Sequence, residues 1–240
     1  MCRLILASGT FEAKEIVAAA VAMASGRTAD HDGSLFVHPH GWGAVWCDPE
    51  APGGLSVHRD VRPAFETAYD SVVPELRTDF LAIHVRHATS PNRRGPAYTH
   101  PVERPGDDWY LLHNGSLPTV HRQLGLDEST FDSAEYFDYI VPRGALALDH
   151  EETLERLRAM PPGGNSANAF AVRRGRAYVI HWTAPGNSTP RYFTFYRFAE
   201  PGLQVVASEV VPSLAPADRW EPLPPDSVTE ILFDCERQAS

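Results

Sequence analysis

The sequence predicts an α+β fold in which antiparallel strands are layered with helices, and three features carry that prediction. Short apolar runs arrive in pairs separated by turn-rich segments, which is a hairpin signal. Amphipathic stretches flank those pairs instead of alternating with single strands, as a parallel doubly wound sheet would require. After "PPGGNS" the pattern becomes strand after strand, with no helical period left.

Taken in order, "CRLILAS" reads as a strand that begins almost at the first residue. "TFEAKEIVAAAVAMASG" reads as a helix, with Thr10 as N-cap, an apolar stripe of Ile16, Val17, Ala20, Val21 and Ala24, and Gly26 closing it. "GWGAVWCD" and "GGLSVHRD", joined by "PEAPGG", form a hairpin, and Trp42 and Trp46 fall on one face of its first strand as core residues. "PAFETAYDSVVPEL" is helical up to Pro74, and "DFLAIHVRHA" is a strand. The loop "TSPNRRGPAYTHPVERPGDD" holds four prolines, and a structureless stretch of that length is more often functional than decorative. "WYLLHNG" is a strand ending at the turn dipeptide Asn114-Gly115, followed by helices in "DSAEYFDYIVPRGAL" and "HEETLERLRAM". "ANAFAVRRG", "RAYVIHWT", "RYFTFYRF" and "LQVVASEVV" complete the strands. No repeat, low-complexity tract or linker interrupts the chain, so residues 1–240 are expected to form one domain.

A formal net charge of -10, from 31 acidic against 21 basic residues, argues against nucleic acid or an anionic membrane as partner. There is no apolar run long enough to span a membrane and no secretory signal is visible at the start, so neither is expected. The three cysteines (Cys2, Cys47, Cys235) do not read as a disulfide framework, so a reduced, cytoplasmic setting is expected, with a structural role for Cys47 and Cys235.

Cys2 poses the functional question, because termini rarely carry chemistry. Loss of Met1, expected before a residue as small as cysteine, would place a thiol and a free α-amine on one residue. The amine can then serve as the thiol's general base. Packing of a small side chain is the alternative. Asn114 and Gly115 could supply a side-chain amide and a backbone N–H to an oxyanion, or form a plain turn. Arg86, at a strand end, suits bidentate pairing with a carboxylate, with Thr89 adding a hydroxyl; a surface ion pair is the alternative. Asp132 would cap a helix or meet an ammonium. Histidines of "HDGSLFVHPHGW", His38 and His40 among them, raise a metal site, but no carboxylate or cysteine stands at ligand spacing, so no metal is expected. His113 reads as a buried support and His100 as a loop anchor.

Together, Cys2, Arg86-His87-Ala88-Thr89, His100-Pro101, His113-Asn114-Gly115, Asp132 and the "GWG" strand resemble the class II glutamine amidotransferases, a family of N-terminal nucleophile hydrolases. The resemblance runs over roughly residues 2–140 and continues more weakly in "ANAFAV" and "VVASE". It implies a four-layer αββα sandwich. It also implies that Cys2 attacks a γ-carboxamide to give a thioester, with Asn114 and Gly115 as the oxyanion hole. Arg86 would hold the α-carboxylate, Asp132 (in preference to Ser133) the α-ammonium, and His87 and Thr89 would support the same substrate. No cofactor is implied.

The sequence carries no phosphate loop, nucleotide fingerprint or isomerase-like domain. In length and in "MCR" and "GWG" it is similar to standalone members such as the ergothioneine-pathway γ-glutamyl amidohydrolase. The expectation is therefore hydrolysis of a γ-glutamyl amide, or of glutamine, to release glutamate. The alternatives are a glutaminase subunit feeding ammonia to a separate synthetase, and an inactive binding module that retains Met1. The aromatic run "YFTFYRF" is expected to pack in the core.

Overall fold

The computed structural model describes residues 1–235. Its strands and helices are β1 (Arg3–Gly9), α1 (Ala13–Ala24), β2 (Trp42–Cys47), β3 (Leu55–Asp60), α2 (Ala64–Thr67), β4 (Phe80–Val85), β5 (Val102–Glu103), β6 (Tyr110–Ser116), α3 (Asp132–Ile140), α4 (His150–Arg158), β7 (Ser166–Arg173), β8 (Arg176–His181), β9 (Tyr196–Glu200), β10 (Leu203–Ala207), β11 (Glu221–Pro222) and β12 (Ser227–Leu232).

These strands form two sheets, one of seven in the order β11-β9-β10-β1-β4-β2-β3 and one of five in the order β12-β8-β7-β6-β5. Every pairing is antiparallel. One apolar cluster packs α1 against the seven-stranded sheet, through Ile16, Val17 and Val21 on Ile5, Ile83 and Val205. A second lies between the sheets, around Leu4, Leu6, Phe80 and Phe170. A third packs α3 and α4 on the five-stranded sheet, around Phe137, Ile140 and Leu157. The layers are thus α, β, β, α, as the resemblance implied.

Because β1 lies between β10 and β4 and is covered on both faces, its sequence is a continuous apolar run. The ladder extends to the first residue: the Met1 ammonium donates to the His87 carbonyl at 2.6 Å, and the His87 N–H donates to the Met1 carbonyl at 3.1 Å. Backbone bonding therefore pins a terminus that would ordinarily fray.

Several local expectations are corrected. Thr10 does not cap α1; its N–H bonds Gly202, which ties it to the end of β1, and the cap position is Glu12. The helix expected up to Pro74 is a single α-turn followed by 3₁₀ turns, and the Ser71 hydroxyl bonds the Ala68 carbonyl in competition with the helical ladder. In "RYFTFYRF" a 3₁₀ turn over Arg191–Phe193 precedes β9, held by Asp32 accepting from the N–H groups of Arg191 and Tyr192. Tyr192, Phe193 and Phe195 are buried, consistent with the core role expected for that run. Trp42 and Trp46 likewise pack in the α1-facing core. β12 has no counterpart in the expected elements.

The largest correction concerns the cysteines. Cys47, at the end of β2, and Cys235 are joined in a disulfide across 188 positions, with Cα atoms 5.5 Å apart. Nothing local marks such a pair, because the fold alone brings these residues together. The pair is structural, but the expectation that the cysteines form no disulfide does not hold, and with it goes the cysteine-based ground for a reduced setting.

Candidate active site

Alternation along the strands decides which side chains meet. On β1, Leu4 and Leu6 face the inter-sheet layer, so Cys2 faces it too. Leu4 is opposite His84 on β4, which puts His84, and Arg86 two residues on, on that same face. Opposite them, Leu112 on β6 points into the layer and Asn114 follows it. Three strand ends thus deliver Cys2, His84, Arg86 and Asn114 to one place. All four are buried.

The Cys2 backbone N–H donates to Asn114 Oδ1 at 2.8 Å. That bond fixes the orientation of the amide, and its Nδ2 is left buried with no partner among the described residues. Gly115 lines the pocket beside it. A Cβ at Gly115 would overlap the Ser166 carbonyl on β7, so only glycine lets the two strands close here. His113 points away from the inter-sheet layer; its Nε2 donates to the Ser166 carbonyl at 3.2 Å, which leaves Nδ1 to accept from the Ser133 hydroxyl at 2.9 Å. It supports the strand end, as the sequence suggested.

Arg86 donates through NH2 to the carbonyl of Arg93 at 2.6 Å, while its NH1 is buried without a partner among the described residues. Asp132 accepts from the Leu117 N–H at 2.9 Å and faces the Arg93 guanidinium at 3.5 Å. It lies one residue inside α3 and is not the cap; Glu135 instead accepts from the N–H groups of Thr130 and Phe131. Ser133 is engaged by His113. His87 and Thr89 border the pocket, His87 through its backbone bonds to Met1 and Thr89 as an exposed rim residue.

All seven expected site residues therefore converge. Two further ones escaped the sequence reading. His84 could have been found from its place two residues before Arg86 on one strand face. Arg93 could not, because it reaches the pocket only through the path of a proline-rich loop. His100 does more than anchor that loop: buried, it stacks on His84 with ring centroids 4.1 Å apart. Among the described residues, no group of three or more His, Cys, Asp and Glu is placed to hold a metal ion, His38 and His40 included.

The family model for class-II glutamine amidotransferases matches residues 1–133, which span all of these positions up to Ser133. The chain belongs to the class II glutamine amidotransferases.

Members of this family are N-terminal cysteine amidohydrolases, and in this amidotransferase chain the cysteine stands at position 2. Solved structures share the fold. Glutamine phosphoribosylpyrophosphate amidotransferase from B. subtilis is 17% identical with a TM-score of 0.62. The allosteric regulatory enzyme of purine biosynthesis is 16% identical with a TM-score of 0.65. Both align over 97% of this chain, which spans only 49% of theirs. A glutamine aminotransferase class-II domain protein from Silicibacter pomeroyi is 17% identical with a TM-score of 0.58, covering 97% of this chain and 99% of that one. No curated protein matches the sequence.

The amidotransferase pocket is electrostatically biased toward thiolate. Burial by itself would raise the Cys2 thiol, but His84, the terminal ammonium and Arg86 outweigh it and bring the thiol down to about 6. Burial also lowers the terminal amine and Arg86. His113 is lowered by burial to about 4, and His100 is held well below the ordinary histidine range for the same reason.

Proposed function

We propose that residues 1–240 act as one amidohydrolase unit that cleaves the γ-glutamyl amide of a small metabolite, or of glutamine, through a Cys2 thioester. The observation that carries this reading is the Asn114 side chain, whose oxygen is committed to Cys2 and whose buried Nδ2 is unpartnered beside the nucleophile. A donor left unsatisfied at a cost of about 1–3 kcal/mol fits a group that bonds an oxyanion only when one forms. After removal of Met1, the Cys2 nitrogen becomes the α-amine that passes protons to the leaving amine and from water. Arg86, through its free NH1, takes the α-carboxylate; Asp132 takes the α-ammonium; His87, Thr89 and the Gly115 N–H complete the cradle. Asp132 is preferred over Ser133 because Ser133 is spent on His113.

The Silicibacter protein, 99% of which aligns with this chain, favours reading the domain as a hydrolase in its own right. The two longer relatives, in which this fold is about half of the chain, favour a second reading: a glutaminase subunit whose ammonia serves a synthetase partner. Intact mass after treatment with a diazo-ketone glutamine analogue tests the nucleophile. A chain without Met1 carrying one adduct, absent in Cys2→Ala, is expected; no adduct on the Met1-free chain would overturn the reading. Glutamine hydrolysis that is feeble in the isolated chain and rises when a synthetase partner is present would select the second reading over the first.

A further inference from the structure

His84 is fully buried, lies next to Cys2 on the inter-sheet face, and has no part in the scheme above. Its Nε2 is 3.1 Å from the His113 carbonyl. A carbonyl only accepts, so Nε2 carries the hydrogen and Nδ1 of the neutral ring holds a lone pair. That Nδ1 is buried with no partner among the described residues. His100 covers one ring face by stacking and offers no bond, since both of its own nitrogens are unpartnered. Cys2, two residues before the Leu4 that pairs with His84, is its diagonal neighbour on that face, and the ring lies close enough to favour the thiolate.

From this geometry we infer that His84 takes the Cys2 thiol proton at Nδ1, so that the resting nucleophile is a Cys2 thiolate paired with a His84 imidazolium.

The inference deepens the proposed hydrolysis and rests on it for the later steps, which then divide between two bases. The S–H bond breaks and its proton goes to His84 Nδ1, while Nε2–H stays on the His113 carbonyl. A sulfur lone pair attacks the amide carbon and the carbonyl π pair moves onto oxygen, facing Asn114. The tetrahedral adduct collapses by breaking C–N, and the leaving nitrogen takes a proton from the α-ammonium of Cys2. Water then attacks the thioester, gives its proton to the α-amine, and expels the thiolate. The His84 proton is conserved through the cycle, and the ion pair is restored at its end.

The groups facing this pair favour it. The terminal ammonium and Arg86 add positive charge beside the sulfur. Asp132, across the pocket on α3, offsets both cations. His100 and His113 flank the ring from the loop and from β6. Both are held neutral at moderate pH, so they do not oppose a charged His84.

The test is the rate of Cys2 alkylation by iodoacetamide, located by mass, from about pH 4.5 to 9. It is run on wild type and on His84→Gln, whose amide can still donate to the His113 carbonyl but accepts no proton. Wild type is expected to have its midpoint near pH 6 and to reach its plateau by about pH 8. The variant should lose about tenfold or more in rate at pH 6 and move its midpoint up by about one unit or more. Superimposed profiles would overturn the inference. If His84→Gln fails to fold, His84→Asn and the thiolate absorbance near 240 nm in the wild type decide: a band that is absent at pH 7, or unchanged by the substitution, equally overturns it. Repeating the series on chain that retains Met1 separates the two bases, because the His84 dependence should persist there while hydrolysis is lost. Iodoacetamide needs no glutamyl pocket. A His84-dependent profile without diazo-ketone labelling would therefore sink the substrate reading and leave the ion pair standing.

Discussion

Between the two sheets, the inward faces of β1, β4 and β6 run from Leu6, Phe80 and Leu112 at one end to Cys2, His84 and Asn114 at the other. The same strands and the same layer hold both ends, yet they differ in kind. At the apolar end every side chain finds dense packing, with Phe80 stacked on Phe233 at 3.9 Å and Phe170 on Phe195 at 5.3 Å. At the polar end Asn114 Nδ2, His84 Nδ1, Arg86 NH1 and both nitrogens of His100 are buried and unpartnered among the described residues. Each such group costs about 1–3 kcal/mol. The apolar end holds the sheets together and the polar end spends part of that stability on groups poised for a ligand.

Substitutions should separate the two ends most sharply at the nucleophile and its oxyanion donor. Cys2→Ala should reduce hydrolysis to background, and Asn114→Ala should lower kcat by about 10²–10³. Cys2→Ala should leave the melting temperature nearly unchanged, and Asn114→Ala should cost no more than one buried donor losing its partner, about 1–3 kcal/mol. A large fall in melting temperature with kcat preserved would mean that the polar end is structural. At the other end, Phe170→Ala should cost about 3–5 kcal/mol in denaturant unfolding. Its folded fraction should keep the wild-type Cys2 alkylation profile.

The ends should also differ in their response to acid. Histidines in an unfolded chain take up protons near pH 6.5, whereas the folded chain holds His113 near 4 and His38 and His100 well below their ordinary range because of burial. Below about pH 6.5 the unfolded state therefore binds more protons than the native state, so stability falls as pH falls and continues to fall until the native groups titrate. His100→Phe keeps the stack on His84 and removes one such group, so its unfolding free energy should decline less steeply between pH 6.5 and 5 than that of wild type. Parallel declines would mean that His100 makes no contribution.

This contrast also explains what the sequence could reveal. The apolar pattern of "RLILASG" and "FLAIHV" marks strands, and the motif spacing from Cys2 to Asp132 assembles seven residues that the fold brings together. The signals that failed are those made by distant contact. Cys47 and Cys235 meet only because the fold brings the end of β2 beside the segment that follows β12. Thr10, a good cap by type, is drawn into a turn by Gly202. His84 and Arg93 acquire meaning only through what stands opposite them: a carbonyl of a facing strand for one, an aspartate from α3 for the other.

Arg93 gives the smallest effect and the finest test of how the polar end is kept ready. One residue engages both halves of the proposed glutamyl clamp, since its carbonyl accepts from Arg86 and its guanidinium pairs with Asp132. In those two contacts it stands where a substrate's carboxylate and ammonium are proposed to go, so a substrate has to displace it. The Arg93 side chain is 29% exposed, which limits its ion pair to the modest range of partly solvated pairs, about 0–1 kcal/mol. Arg93→Ala leaves the carbonyl in place but frees Asp132, so KM should fall by at most about fivefold, with kcat unchanged. A rise in KM would instead make Arg93 a substrate ligand, reached by the loop folding inward with its guanidinium turned from Asp132 to the incoming carboxylate. Raising the ionic strength distinguishes the cases further. Salt weakens every partly exposed pair that Arg93 makes, so the wild-type KM should move toward that of Arg93→Ala in either case, falling if the arginine competes with substrate and rising if it binds substrate.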